Sequence, residues 1–457
     1  MKYYVFLTVF YFSYAVGLSN VTYVILSQAD EFHKKVALQL QNSIYTQSKE
    51  LNLINSEIYI STIDFNISGE WTIFPIISPI LEVIRYSQWV VLLEDRCNIN
   101  LNLLLNTLQK YDSEKEIWLG HAIFDNEATI IHHFGFYKNP TFFKYPNLAS
   151  GIILSIPLLK RLKHQLDDGN YKMPDFHIDP AYEFALFVYN NGSGPMIHNE
   201  TTLCHKEQPN CSIYPKKLVP CVKSYVSSIF YAVKTCEKFH DSRVKTVQKT
   251  WGQYCTKITF FSDVEDIKAL TVAVGVKNTE HGHCEKTITI LKLIEKEIQD
   301  DVDVLWVALV DDDTILSVSR LTNLTSCYNT KEPIILGERY RFGDAGDGGF
   351  DYTTGGAGTL INRAALNLLA HNCKCPKLDS PDDMILGVCA EKLGITLVHI
   401  PQMHQARPSD YAEGRLATMD AVTFHKHWMI NPIEVYQDWF EEDDRKYIKG
   451  YYEKLEL

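Results

Sequence analysis

Three consecutive aspartates, Asp311, Asp312 and Asp313, close the apolar run at residues 302–310 (VDVLWVALV). Neighbouring carboxylates repel one another unless a cation or hydrogen-bond donors share their charge. The carboxyl end of a buried strand is also where open α/β sheets bind ligands. A divalent metal holding a diphosphate would use such a group, whereas a solvated acidic turn would not need it. Three further motifs carry groups suited to the same chemistry. Ser380-Pro381-Asp382-Asp383 opens an apolar helical stretch at 384–389. One acid in a first turn serves the helix dipole, and the second is a candidate general base. Gly355-Gly356-Ala357-Gly358 follows Tyr352-Thr353-Thr354, and small residues let a backbone pass close to a sugar or phosphate. His425 and His427 flank Lys426 after the strand-like residues 421–424, and share one face at that spacing. Either could complete the coordination of a metal held by the carboxylates.

The elements that must position these groups occur twice. Residues 89–95 (WVVLLED) resemble 306–312 (WVALVDD), and 148–154 (LASGIIL) resemble 355–361 (GGAGTLI). Asp179-Pro180-Ala181-Tyr182 stands where Ser380-Pro381-Asp382-Asp383 stands later. Strand-like runs alternate with helical ones at 21–26, 58–60 and 90–93, and again at 227–233, 257–261, 270–276 and 304–310. The pattern predicts an α/β fold with two tandem Rossmann-like units. The repeat sets Arg96 opposite Asp313, and Ala181 and Tyr182 opposite Asp382 and Asp383. The first unit therefore lacks the carboxylates that chemistry would need and reads as degenerate.

The chain has 457 residues, of which 46% are hydrophobic and 22% charged, and a formal net charge of −12. It is globular and without the basic stripe that a nucleic-acid partner requires. Residues 1–18 have one Lys and an apolar core of signal-peptide length, too short and too interrupted to remain as a membrane span. Six Asn-X-Ser/Thr sequons begin at Asn20, Asn66, Asn191, Asn199, Asn210 and Asn323. The 11 cysteines fit an oxidising compartment, with an odd one left over and the pairing open. A zinc site at Cys373 and Cys375 has no second Cys/His pair at the usual spacing. The chain ends KLEL, close to a KDEL retrieval signal. These features predict a protein of the endoplasmic reticulum lumen. The expected layout is signal peptide 1–18, degenerate domain 19–190, a cysteine- and sequon-rich linker 191–224, catalytic domain 225–450 and tail 451–457.

In this order, residues 243–251 (RVKTVQKTW), 260–263 (FFSD), 306–313, 336–340 (LGERY), 352–358, 381–387 (PDDMILG) and 423–427 resemble the Fringe-like β-1,3-glycosyltransferases. The resemblance spans most of residues 225–430. Each piece alone is weak and the ordered set is specific. Within the family, the tandem layout and the luminal signals are most similar to members that add β-1,3-glucose to O-linked fucose on thrombospondin type 1 repeats. Fringe enzymes and core 1 galactosyltransferases have, as families, a membrane anchor and a single catalytic domain, and this chain departs from both.

The resemblance implies a GT-A-like fold and an inverting transfer from UDP-glucose to O-fucosylated thrombospondin repeats. By position, it assigns Asp313 and His425 to a Mn²⁺ ion, with His427 as the alternative. Arg243, Asp263, Asp312 and Gly356 fall to the UDP-sugar, and Asp383 becomes the catalytic base. An imidazole ligand favours Mn²⁺ over Mg²⁺, which prefers oxygen. Two other readings stay open: a Fringe-type N-acetylglucosaminyltransferase, and a luminal lectin or folding factor without turnover.

Overall fold

A computed structural model describes residues 20–452, apart from 54–55, 170 and 345–347. The expected signal peptide and the KLEL tail lie outside the described residues. The fold is mixed α/β, built on two open sheets. The first runs His198–Asn199, Trp118–Gly120, Ile152–Ser155, Trp89–Glu94, Val21–Leu26, Glu57–Ile60. The second runs Thr396–His399, Ile334–Gly337, Thr359–Asn362, Trp306–Asp311, Ile229–Lys234, Ile258–Ser262, Thr271–Ala273.

The two sheets share one topology, down to register. Val21 pairs with Trp89 in parallel, and Ile229 pairs with Trp306 in the same way. Trp89 faces Ser155 across an antiparallel ladder, as Trp306 faces Asn362. Ser155 and Asn362 then both cap the helix that follows, accepting from the backbone of Leu158 and Ala365. Gly151 and Gly358 enter these strands with φ of +78° and +88°, a conformation open to glycine at no steric cost.

Every central strand is apolar on both faces because helices cover both. In the second sheet Tyr231, Val233, Ala308 and Val310 pack into one core cluster. Phe230, Ala232, Val307 and Leu309 pack into another on the opposite side. Each buried Val, Leu or Phe among them contributes about 1.5–3 kcal/mol by leaving water, and a one-residue slip would exchange the two faces. The apolar run that begins at Val302 becomes strand only from Trp306, since Val302 is 80% exposed.

The halves are joined by side chains and by backbone. Phe176–His177 pairs with Arg339–Phe342 of the second half, and Arg415 meets Asp179 at 2.5 Å. Within 191–224, His198–Asn199 extends the edge of the first sheet, Ile213–Pro215 pairs with Cys97–Ile99, and Cys221 is bonded to Cys327. The other disulfides are Cys204–Cys211, Cys284–Cys375 and Cys373–Cys389, leaving Cys97, Cys236 and Cys255 as thiols. Cys373 and Cys375 are thus both oxidised and are not zinc ligands. No helix among the described residues is long and apolar enough to cross a membrane.

Candidate active site

Asp311 ends its strand, and the chain turns through Asp312 and Asp313 into the short strand Thr314–Leu316. That strand pairs antiparallel with Thr423–His425, with Thr314 opposite His425, which brings the imidazole onto the acidic turn. His425 Nε2 lies 3.0 Å from Asp313 Oδ1, and Nδ1 lies 3.0 Å from the Gln405 carbonyl. With Nδ1–H donated to that carbonyl, Nε2 presents its lone pair to the carboxylate. Two acceptors at this distance need a proton or a cation between them. Burial opposes a proton on the ring, but the Asp313 carboxylate holds the His425 pKa above the ordinary value. Gln405 is itself fixed, its N–H donating to Glu338 at 2.6 Å and its side-chain oxygen accepting from Ala357 at 3.0 Å.

Ligand atoms of Asp311, Asp313 and His425 all lie within 4.8 Å of one another, the one such group among the described residues. Two carboxylate oxygens and an imidazole nitrogen suit a divalent transition-metal ion. The cradle is shaped for the ring, because a Cβ on Gly356 would fall 2.2 Å from His425 Nδ1. His427 forms no hydrogen bond or ion pair with Asp313 among the described residues, and burial depresses it to about 4. The geometry therefore favours His425 of the two histidines, and adds Asp311, to which the sequence reading gave no role of its own.

Asp312 turns the other way. It accepts from Thr235 Oγ1 at 2.6 Å and from Arg243 at 2.9 Å, and burial pushes it up to about 6. Arg243 also reaches Asp313 at 2.9 Å. Burial would raise Asp313, yet His425 and Arg243 hold it down at about 2. Asp263 stands apart from this cluster, accepting from the Glu237 N–H at 3.0 Å and from Ser262 at 3.1 Å. Lys286, which the sequence reading missed, is buried and bonded to the Thr235 carbonyl and to Asn278. It makes no ion pair within 4.0 Å among the described residues, and burial lowers its pKa although the charge of Asp263 opposes this. A desolvated cation beside an acidic turn is available to a phosphate.

The two acids of the PDD motif have separate surroundings. The helix runs Asp382–Leu393, and its cap position, Pro381, makes no side-chain bond, so neither aspartate serves as the N-cap. Asp382 is instead clamped by Lys234 at 2.5 Å and Thr287 at 2.7 Å. Burial notwithstanding, these hold it at about 2. Lys234 also bridges to Asp311 at 3.2 Å, tying this helix to the acidic turn. Asp383 has no cationic partner of its own. Burial, and then the charge of Asp382, raise its pKa above the ordinary value, as a general base requires. A Cβ on Gly355 would lie 3.9 Å from Asp311 Oδ2 and 4.0 Å from Asp383 Cβ. The glycine turn therefore passes between Asp311 and Asp383, close to both.

The same frame in the first half holds different side chains. Ser27 bonds Asp95 at 2.9 Å, as Thr235 bonds Asp312, and His33 meets Asp95 at 2.8 Å where Asp312 has Arg243 as its second partner. In the matched registers, however, Arg96 replaces Asp313, Pro215 replaces His425 and Ala149 replaces Gly356. Of the donor set only a carboxylate in the place of Asp311, Glu94, remains, while the scaffold persists.

Comparison with known proteins agrees with this geometry. The family described as Fringe-like matches residues 28–176 and 224–455, parts of both halves. The chain is 40% identical to a human beta-1,3-glucosyltransferase over 451 residues, covering 96% of this chain and 90% of that protein. The mouse beta-1,3-glucosyltransferase is 40% identical over 440 residues, covering 94% and 88%. The beta-1,3-N-acetylglucosaminyltransferase lunatic fringe of Xenopus laevis is 29% identical over 213 residues, covering 40% and 57%. With a family match spanning both sheets and 40% identity to these relatives along most of its length, the chain belongs to the Fringe-like family of glycosyltransferases.

Proposed function

We propose that the chain is an inverting β-1,3-glucosyltransferase that moves glucose from UDP-glucose to the 3-hydroxyl of O-linked fucose on thrombospondin type 1 repeats. The observation that carries this reading is 40% identity along both sheets to beta-1,3-glucosyltransferases, against a match to lunatic fringe that covers 40% of the chain. The site supports the reaction type. Asp383 takes the proton of the acceptor hydroxyl as the glycosidic bond forms, a contribution on the order of 10²–10⁴ in rate. Lys234 holds Asp382 and Asp311 in place, so that the lone carboxylate across the glycine turn is the one free to accept a proton. Arg243 and Lys286 bring positive charge to the diphosphate side. Asp311, Asp313 and His425 would hold Mn²⁺, which when bound supplies charge neutralisation to the leaving diphosphate. Asp312 and Gly356 belong to the donor pocket in this reading, and Asp263 shapes its outer loop.

Residence in the endoplasmic reticulum lumen is part of the proposal. It is supported by four disulfides and by exposed asparagines at five of the six sequons. A donor screen tests the function. UDP-glucose and UDP-N-acetylglucosamine are each offered with an O-fucosylated thrombospondin repeat and an O-fucosylated EGF-like repeat, and products are weighed by mass spectrometry. A hexose added to the thrombospondin repeat alone is expected. Transfer of N-acetylhexosamine, or to the EGF-like repeat, would replace this reading with a Fringe-type one.

A further inference from the structure

The degenerate half is not filled in. A cavity of about 610 Å³ lies at the carboxyl ends of the first sheet's strands, walled on its far side by the second half. It occupies the place that corresponds to the cleft of the second sheet, and its size suits a nucleotide-sized ligand. Its lining includes Glu94, Asp95 and Arg96 from the first sheet's turn, Lys216 from the connecting segment, and Arg339 and Gln402 from the second half.

The charges around it do not cancel. Asp95 is satisfied by Ser27 and His33, Asp179 by Arg415, and Arg320 by Asp443. Arg96 has only a hydrogen bond at 3.3 Å to the Lys216 carbonyl. Arg339 is 9% exposed and stacks on Trp71 at 4.5 Å, but its Nε has no hydrogen-bond partner, and its ion pair with Asp351 is stretched to 4.0 Å. Gln402, 4% exposed, leaves its side-chain oxygen without a donor. Buried polar groups left this way cost about 1–3 kcal/mol each unless something binds them. Of the lining acids only Glu94 stands opposed, and burial pushes its carboxyl up to about 7.

Arg96 takes the turn position that Asp313 holds beside His425. Where the second sheet offers ligands for a cation, the first offers a fixed cation. We infer that the first sheet's cleft is a second, metal-independent binding site for a nucleoside diphosphate, free or sugar-linked, with Arg96 and Arg339 meeting the phosphates. A guanidinium is well matched to phosphate oxygens and needs no metal to do so.

Calorimetric titration of the full chain with UDP tests this. In EDTA one equivalent of UDP is expected to bind, and a second when Mn²⁺ is restored. Arg96→Ala should weaken the EDTA-resistant site at least tenfold with an unchanged Tm, and Arg96→Lys should recover part of the loss. Arg339→Gln provides a second variant that keeps a polar side chain, and should weaken the same site. Asp313→Ala should leave it intact, which separates this site from the proposed donor site. Inorganic pyrophosphate should compete for it and uridine should not. No binding in EDTA, binding that survives Arg96→Ala and Arg339→Gln, or competition by uridine alone would overturn the inference.

Discussion

Gly356→Ala tests the metal site through one methyl group. The new Cβ would sit 2.2 Å from His425 Nδ1 and 2.3 Å from Cε1, where ordinary contact begins at 3.4 Å. The ring must therefore retreat by about 1 Å, a misplacement that can cost on the order of 10²-fold in rate. It cannot do so freely. Its Nδ1 is bonded to the Gln405 carbonyl, while Thr314 holds the Gly356 carbonyl at 2.9 Å. Loss of an orienting partner of a metal-bound histidine costs about 10–100-fold in metal affinity. The assay is the Mn²⁺ dependence of UDP-glucose turnover, run beside a thermal melt. The half-saturating Mn²⁺ concentration should rise 10–100-fold for Gly356→Ala. Gly355→Ala, whose Cβ meets only ordinary contacts at 3.9 Å and 4.0 Å, should keep its metal affinity. Unchanged Mn²⁺ dependence in a folded Gly356→Ala protein would show that His425 does not bind the metal from this position.

Three further outcomes follow from the same geometry. Asp383→Asn should keep UDP binding and lose transfer by about 10²–10⁴. Because the Asp383 carboxyl titrates above the ordinary range, wild-type kcat/KM should fall as pH drops through that raised value, and an acid limb that persists in the variant would refute the assignment. Lys234→Met leaves Asp311 and Asp382 facing each other without their shared cation; chemical denaturation should show a loss of about 3–5 kcal/mol, and a loss under about 1 kcal/mol would mean that the two acids relax apart. Cys373→Ser with Cys389→Ser opens the 16-residue loop that anchors the Asp382 helix, and stability should fall by about 3 kcal/mol, measured by the same denaturation.

Much of this was legible in the chain. Strands buried on both faces read as unbroken apolar runs, so Trp89–Glu94 and Trp306–Asp311 stand out without any structure, as do the acids that end them. The ordered motifs carried the family resemblance, and the paired motifs carried the repeat, because register in a buried sheet is fixed by side-chain alternation. Which acid faces which partner was not legible. Three adjacent aspartates look alike in sequence, and only the pairing of Thr314–Leu316 with Thr423–His425 turns Asp313 toward His425 and leaves Asp312 to Thr235 and Arg243. Lys234 and Lys286 gave no signal either, since a lysine at a strand end or in a helix is ordinary until burial removes its water. The uncancelled charge of the first cleft belongs to the tertiary structure alone: Arg96 and Arg339 are 243 residues apart in the chain, and they line one cavity only because the two halves fold against each other.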